Sequence, residues 1–191
     1  MAEVAIATAL AWGAGLRAYA VIFAVGLAGY LGWIALPGHL DVLQHPLVLG
    51  ASGFMTLVEF AADKLPWLDS VWDAIHSFIR IPAGAALAAL VFADSGAAVT
   101  VAAGLLGGGL AGAMHAAKAG TRAAINLSPE PFSNWTASLS EDALVPFGLW
   151  LAVAHPIASF VLLAVLIIAA ILLARFLWKG VAVLGQRLRP G

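Results

Sequence analysis

Residues 4–40 read VAIATALAWGAGLRAYAVIFAVGLAGYLGWIALPGHL, and one charged residue, Arg17, interrupts them. A helix rises about 1.5 Å per residue and needs roughly 20 apolar residues to cross a hydrocarbon core of about 30 Å. The stretch is therefore long enough to span a bilayer, and no water-soluble surface can be made from it. The pattern repeats along the chain. Residues 42–58 carry no charge, 81–117 carry only Asp94, and 143–174 again carry none. Backbone groups in lipid must be satisfied inside their own segment, and these tracts lack the period-two alternation of barrel strands. Helices are the remaining solution.

Composition agrees. The chain of 191 residues is 63% hydrophobic and 10% charged, with a mean hydropathy of +1.00. Soluble domains hold roughly a quarter charged residues, because a wet surface must be polar. With 9 Lys+Arg against 10 Asp+Glu there is no basic face for nucleic acid. The absence of cysteine excludes disulfides, thiolate metal sites and cysteine nucleophiles. Met1-Ala2-Glu3 lacks the basic start of a cleavable signal. Arg175, Lys179, Arg187 and Arg189 predict a cytoplasmic basic tail over 179–191.

These features predict an all-α polytopic membrane helix bundle, a single integral membrane domain over 1–191 with about four to six crossings. Several tracts have the wrong length for one upright span. Residues 4–36 are too long, and Gly13 and Gly15 beside Arg17 offer a break. Residues 82–93 and 143–154 are too short, the first followed by the Asp94-Ser95-Gly96 turn, the second by His155-Pro156. Such pieces read as re-entrant or discontinuous half-helices, or as tilted and kinked helices.

The chemistry is concentrated in two polar islands, 59–80 and 115–142. The first, EFAADKLPWLDSVWDAIHSFIR, places Asp69, Asp73, His76 and Arg80 on one helical face, with Leu68, Val71, Trp72, Ile75, Phe78 and Ile79 opposite. Pro82 is expected to close this short amphipathic helix. Its bland role is interfacial, with charges in water and Trp67 and Trp72 as anchors. Alternatively Glu59, Asp63, Asp69, Asp73 and His76 form an oxygen-rich site for a divalent cation, or a proton relay.

The second island opens on a helix where Gly104, Gly108 and Gly112 recur every four residues, a ridge suited to close helix packing or to a homo-oligomer. Beside it His115, Lys118, Arg122 and Asn126 form one stripe whose cationic groups complement the acidic face. Ser138 or Ser140, followed by Glu141 and Asp142, has the form of a helix cap. Gly15-Leu16-Arg17-Ala18 recurs as Gly120-Thr121-Arg122-Ala123, a hint of internal duplication. Arg17 stands out most: an arginine at mid-span costs about 2.5–3.5 kcal/mol even on a lenient scale. It is expected to pair with Glu59, Asp63, Glu141 or Asp142, or to bind an anion.

Three long motifs then align with a known family: GLRAYAVIFAVGLAGYLGW (15–33), VEFAADKLPWLDSVWDAIHSFIR (58–80) with Pro82-Ala83-Gly84 after it, and KAGTRAAINLSPEPFSNWTASLSED (118–142). In these the chain resembles the bacterial family designated domain of unknown function 4126. The resemblance implies a small helical protein of the bacterial inner membrane, and implies no activity. From the residues themselves, the leading expectation is a transporter- or channel-like protein moving an ion or small polar solute through the bilayer. The pathway would be lined by Arg17, Glu59, Asp63, Asp69, Asp73, His76, Arg80, Lys118, Arg122, Asn126, Glu141 and Asp142, with proton or divalent-cation linkage. One alternative is a flippase or enzyme acting on lipid phosphate with a divalent metal, although no nucleophile motif supports catalysis. The other is a structural or assembly protein.

Overall fold

The computed structural model describes residues 1–126 and 132–187, with side chains described for all of these except 66, 67, 170, 173, 174 and 176–187. Every regular element among them is helical: α1 (Ala2–Tyr30), α2 (Pro46–Ala62), α3 (Pro66–Val91), α4 (Ala97–Ile125), α5 (Phe132–Ala154) and α6 (Pro156–Arg187), with short 3-10 turns at Leu40–Gln44 and Ala93–Ser95. Among the described residues, four helices are long and apolar enough to cross a membrane, namely Ala2–Tyr30, Leu68–Val91, Ala97–Ile125 and Phe132–Ala154. This is a membrane protein.

The expected break in the first tract falls on Arg17, whose backbone leaves the helical region (φ −144°, ψ 70°). The break is a reversal. A Cβ on Gly13 would lie 2.8 Å from the Val21 side chain, whereas eight residues of straight helix span about 12 Å. Ile6, Ala9 and Leu10 line the same cavity as Ala24, Val25 and Ala28. In a straight helix residues 6 and 28 would be about 33 Å apart. So α1, with the length and composition of a span, is a hairpin of two helical arms with Arg17 at its tip. Nearly the whole first arm is buried, from Ala5 to Ala18.

The other helices surround this hairpin, and α3 with α4 forms the most extensive helix pair. Small residues allow the approach. A Cβ on Gly84 would strike Ala111, one on Gly107 would strike Ala88, and one on Gly15 would strike the Ala111 carbonyl. The Gly104–Gly108–Gly112 ridge faces Ala85, Ala89 and Ile81 of α3, so within this chain it serves the α3–α4 contact.

One proline reading and one cap reading need correction. Pro82 does not end a short amphipathic helix; it lies inside the 26-residue α3. Helix α5 begins at Phe132, so Ser138, Ser140, Glu141 and Asp142 lie within it and do not cap anything, and Pro146 lies inside it too. A proline removes one ladder bond at a cost of about 3 kcal/mol, and neighbouring helices in a membrane bundle can offset that locally. The His155-Pro156 corner does separate α5 from α6. Residues 127–131 and every side chain of the expected basic tail over 179–191 lie outside the described ones.

The burial pattern is inverted relative to a soluble protein. Asp69, Asp73, His76 and Arg80 are all buried, while Phe78 on the opposite face is 84% exposed, together with Val71 and Ile75. Leu105, Leu106, Phe54 and Leu57 also point outward. Apolar surface faces outward and charge is enclosed, as a lipid solvent requires.

Candidate functional site

The hairpin tip, the end of α2, the first half of α3, the second half of α4 and the first half of α5 meet around one knot of charge. Asp63, following α2, is its hub: it is fully buried and lies 3.1 Å from Arg17, 2.6 Å from Lys118 and 3.9 Å from Arg122. Arg17 also reaches Glu141 at 3.5 Å and Asp142 at 3.0 Å. Lys118 bridges onward to Glu141 at 3.0 Å and lies 3.8 Å from Asp73. Its ammonium also donates to the carbonyl of Leu16 at 3.1 Å. That carbonyl lies next to the break at Arg17, where the helix cannot continue its own ladder. The hairpin thus supplies a freed backbone acceptor that is satisfied inside the protein, as irregular backbone in a membrane bundle must be.

A second centre forms around Arg80, which donates to Glu59 at 2.8 Å, to Asp73 at 2.6 Å and to His115 Nδ1 at 3.1 Å. His76 donates from Nδ1 to the Trp72 carbonyl at 2.7 Å and stacks on the Trp72 ring with centroids 4.0 Å apart. A third chain runs outward from Arg122, which donates to the Asn134 carbonyl at 2.8 Å and its side-chain oxygen at 2.6 Å. Asn134 donates to Asn126 at 2.9 Å, and Asn126 donates to Asp69 at 2.9 Å and to Ser70 at 2.9 Å.

Eleven of the twelve sequence-expected site residues therefore belong to one connected polar network, while His76 bonds the Trp72 carbonyl beside it. Arg17 pairs with three of the four acids expected for it; Glu59 goes to Arg80 instead. The suspected repeat has a geometric echo. Arg17 donates to both the carbonyl (3.2 Å) and the hydroxyl (2.9 Å) of Ser138. Arg122 treats Asn134, one turn away on α5, in the same manner. Sequence reading missed Lys64, Ser77, Asn134 and the true role of Ser138. Lys64 reaches Ser138 at 3.4 Å and Asp142 at 3.7 Å and sits over the Phe60 ring. Its i, i+4 relation to Phe60 was a usable signal. Nothing local distinguished Asn134 from an exposed loop residue.

Between the spanning segments, two groups are shifted. Burial pushes the Asp63 carboxyl upward, but Lys118 and Arg17 beside it outweigh that and hold it below the usual carboxylate range. Partial burial lowers Lys64, with Asp142 opposing the effect and Arg17 adding to it. One oxygen in each of Glu59, Asp63, Asp69 and Asp73 has no hydrogen-bond partner among the described residues. The expected cation site over Glu59, Asp63, Asp69, Asp73 and His76 does not assemble as one. Among the described residues no group of three or more such ligands is placed to hold a metal. The physical reason is competition, because Arg80, Lys118 and Arg17 already occupy the faces of Glu59, Asp73 and Asp63.

Two cavities accompany these elements. An apolar one of about 490 Å³ lies between the hairpin arms, the 33–37 segment and α5, lined by Leu10, Val25, Trp33, Leu149 and Trp150 among others, with no charged residue in its wall. Buried Val21 and Val145 pack at Gly13, and buried Trp12 packs at Gly148. A smaller one of about 200 Å³ touches the knot directly through Ser70, Asp73, Ser77 and His115.

The pattern of the family described as Domain of unknown function (DUF4126) matches residues 4–176. The chain belongs to that family. The match takes in the hairpin, both polar islands and every charge of the knot. No curated protein and no solved structure matches the chain.

Proposed function

We propose that this family member is a transporter- or channel-like membrane protein that moves an ion or small polar solute, with proton linkage. One observation carries the reading: the knot of ionisable side chains reaches a cavity of about 200 Å³ through Asp73 and His115. A merely structural ion pair needs no such cavity. Glu59, Asp69 and Asp73 are buried and each keep an oxygen with no hydrogen-bond partner among the described residues, which costs about 1–3 kcal/mol per group in ordinary folding. Such groups gain by taking up a proton or a passing ligand. The broken helix at Arg17 adds support, since discontinuous helices at mid-depth are how transporters place polar backbone beside a substrate. A reading in which Arg17 and Arg122 grip a lipid phosphate draws less support, because both guanidiniums are already engaged by Asp63, Glu141 and α5 oxygens.

The test is flux in proteoliposomes containing the purified protein, over a panel of monovalent ions, divalent ions and small polar solutes, with and without an imposed pH gradient. The expected result is a pH-gradient-dependent flux that falls at least about tenfold, a barrier change of about 1.4 kcal/mol, in Asp73→Asn. No flux for any panel member under either condition, from protein shown to be folded, defeats the reading.

A further inference from the structure

His115, with Asp73, stands where the charge knot meets the smaller cavity. Its ring is held from both sides. Arg80 Nη1 lies 3.1 Å from Nδ1, and the Ser77 hydroxyl lies 2.7 Å from Nε2. A guanidinium has donors only and no acceptor. Nδ1 must therefore carry a lone pair, which makes His115 neutral with its proton on Nε2. That N–H donates to Ser77 Oγ, and Ser77 Oγ–H in turn donates to the Asp73 carbonyl at 3.2 Å. His76, one turn from Asp73, has the opposite tautomer, because its Nδ1 faces the Trp72 carbonyl, an acceptor. The two histidines of the site are thus distinct in chemistry as well as place.

The cavity of about 200 Å³ is lined by Ser70, Asp73, Ser77 and His115, with Ala74, Ala119 and Ala123 completing its wall. A water molecule takes about 30 Å³, and polar partners are what keep a cavity wet. Asp73 is itself buried, and its second oxygen has no partner among the described residues. The cavity thus combines room for several waters with two hydroxyls, a carboxylate and an imidazole.

We propose that His115 is the proton-accepting site of this protein, taking a proton from water in this cavity and passing its effect to the charge knot through Arg80. The proton from a hydronium goes to the Nδ1 lone pair, leaving water and an imidazolium. With N–H on both nitrogens the ring can no longer accept from Arg80, and two cations face each other. The Arg80 contact breaks, and Arg80 is left to Glu59 and Asp73. The charged and titratable groups around the ring are Arg80, Asp73 and His76 from α3 and Lys118 from its own helix. Arg80 is thereby the coupling element between an external proton and the buried carboxylates. The inference deepens the transport reading, on which its coupling role rests.

The experiment follows ¹⁵N signals of histidine and arginine side chains in the full-length protein in lipid nanodiscs across a pH titration. His115 is expected as the Nε2–H tautomer near neutrality. In acid it is expected to become imidazolium while the Arg80 guanidinium signals shift in step. His115→Gln is the control: its amide keeps an acceptor for Arg80 and a donor for Ser77 but cannot take a proton. That variant is expected to fold, to lose the Arg80 shift, and to lose the pH dependence of flux. A His115 carrying its proton on Nδ1, a protonation that leaves Arg80 unmoved, or an Arg80 shift retained in His115→Gln would each overturn the proposal. Because the titration needs no flux, an intact titration with no transport would count against the transport reading and leave the proton site standing.

Discussion

Asp63→Asn isolates the hub of the knot with little change in shape. The carboxylate meets Arg17, Lys118 and Arg122 at 3.1, 2.6 and 3.9 Å and is fully buried. Asparagine retains an oxygen for Lys118, so one hydrogen bond survives, but the charge does not. Of the acids facing these three cations, Glu141 and Asp142 remain, both more solvent-exposed, with Asp73 3.8 Å from Lys118. Removing one partner of a buried ion pair typically costs about 3–5 kcal/mol. The retained oxygen places Asp63→Asn toward the low end, at about 3 kcal/mol. Lys118→Met should cost a similar amount, because it also strands the Leu16 carbonyl. The double variant should cost less than the sum, by about 1–3 kcal/mol, the usual coupling of contacting residues. Reversible unfolding in detergent or bicelles measures all four corners of this cycle. The pH dependence has a defined sign. The folded-state carboxyl is shifted below its unfolded value, so its stabilisation is complete above the ordinary carboxylate range of about 4. It is lost progressively as pH falls from there through the lower, folded value. The difference between wild type and Asp63→Asn should therefore stay level from pH 7 to about pH 4 and shrink below that. A loss of under about 1 kcal/mol, or strictly additive single variants, would refute the view that these charges hold the bundle as one unit.

Three further outcomes are expected. Spin labels at Ile6→Cys and Ala28→Cys should report a short distance, set by the shared cavity, in place of the roughly 33 Å of a straight helix. Gly84→Leu and Gly107→Leu should destabilise by about 1–3 kcal/mol or more through overpacking, whereas Gly120→Ala should be nearly neutral because nothing lies within 4 Å of its added Cβ; thermal unfolding separates them. Phe78→Ala, at an 84% exposed outward position, should change stability by no more than about 0.5 kcal/mol, while Phe78→Asp should reduce membrane insertion by about 2.5–3.5 kcal/mol.

The membrane class, the location of chemistry in two islands and the faces of both polar helices were legible from the chain. Each depends on local periodicity and on the cost of charge in lipid, and both are properties of a stretch read alone. The pairing of Arg17 with Asp63, Glu141 and Asp142 was legible for a related reason, since a buried cation has to find acids. Pro82 was misread because a proline's effect depends on whether neighbouring helices make up the lost bond. Ser138 looked like a cap because a serine before acids has the same local form whether or not a helix has already begun.

Charge sparsity dictated a bundle with its polar side chains turned inward, whatever the arrangement of helices. The three-dimensional packing decided what no local pattern encodes. It reversed α1 at Arg17, and it matched Gly84 and Gly107 to Ala111 and Ala88. It also brought His115 between Arg80 and Ser77. Those outcomes arise from contacts between residues tens of positions apart, where the free energy belongs to the pair and neither partner's sequence neighbourhood contains it.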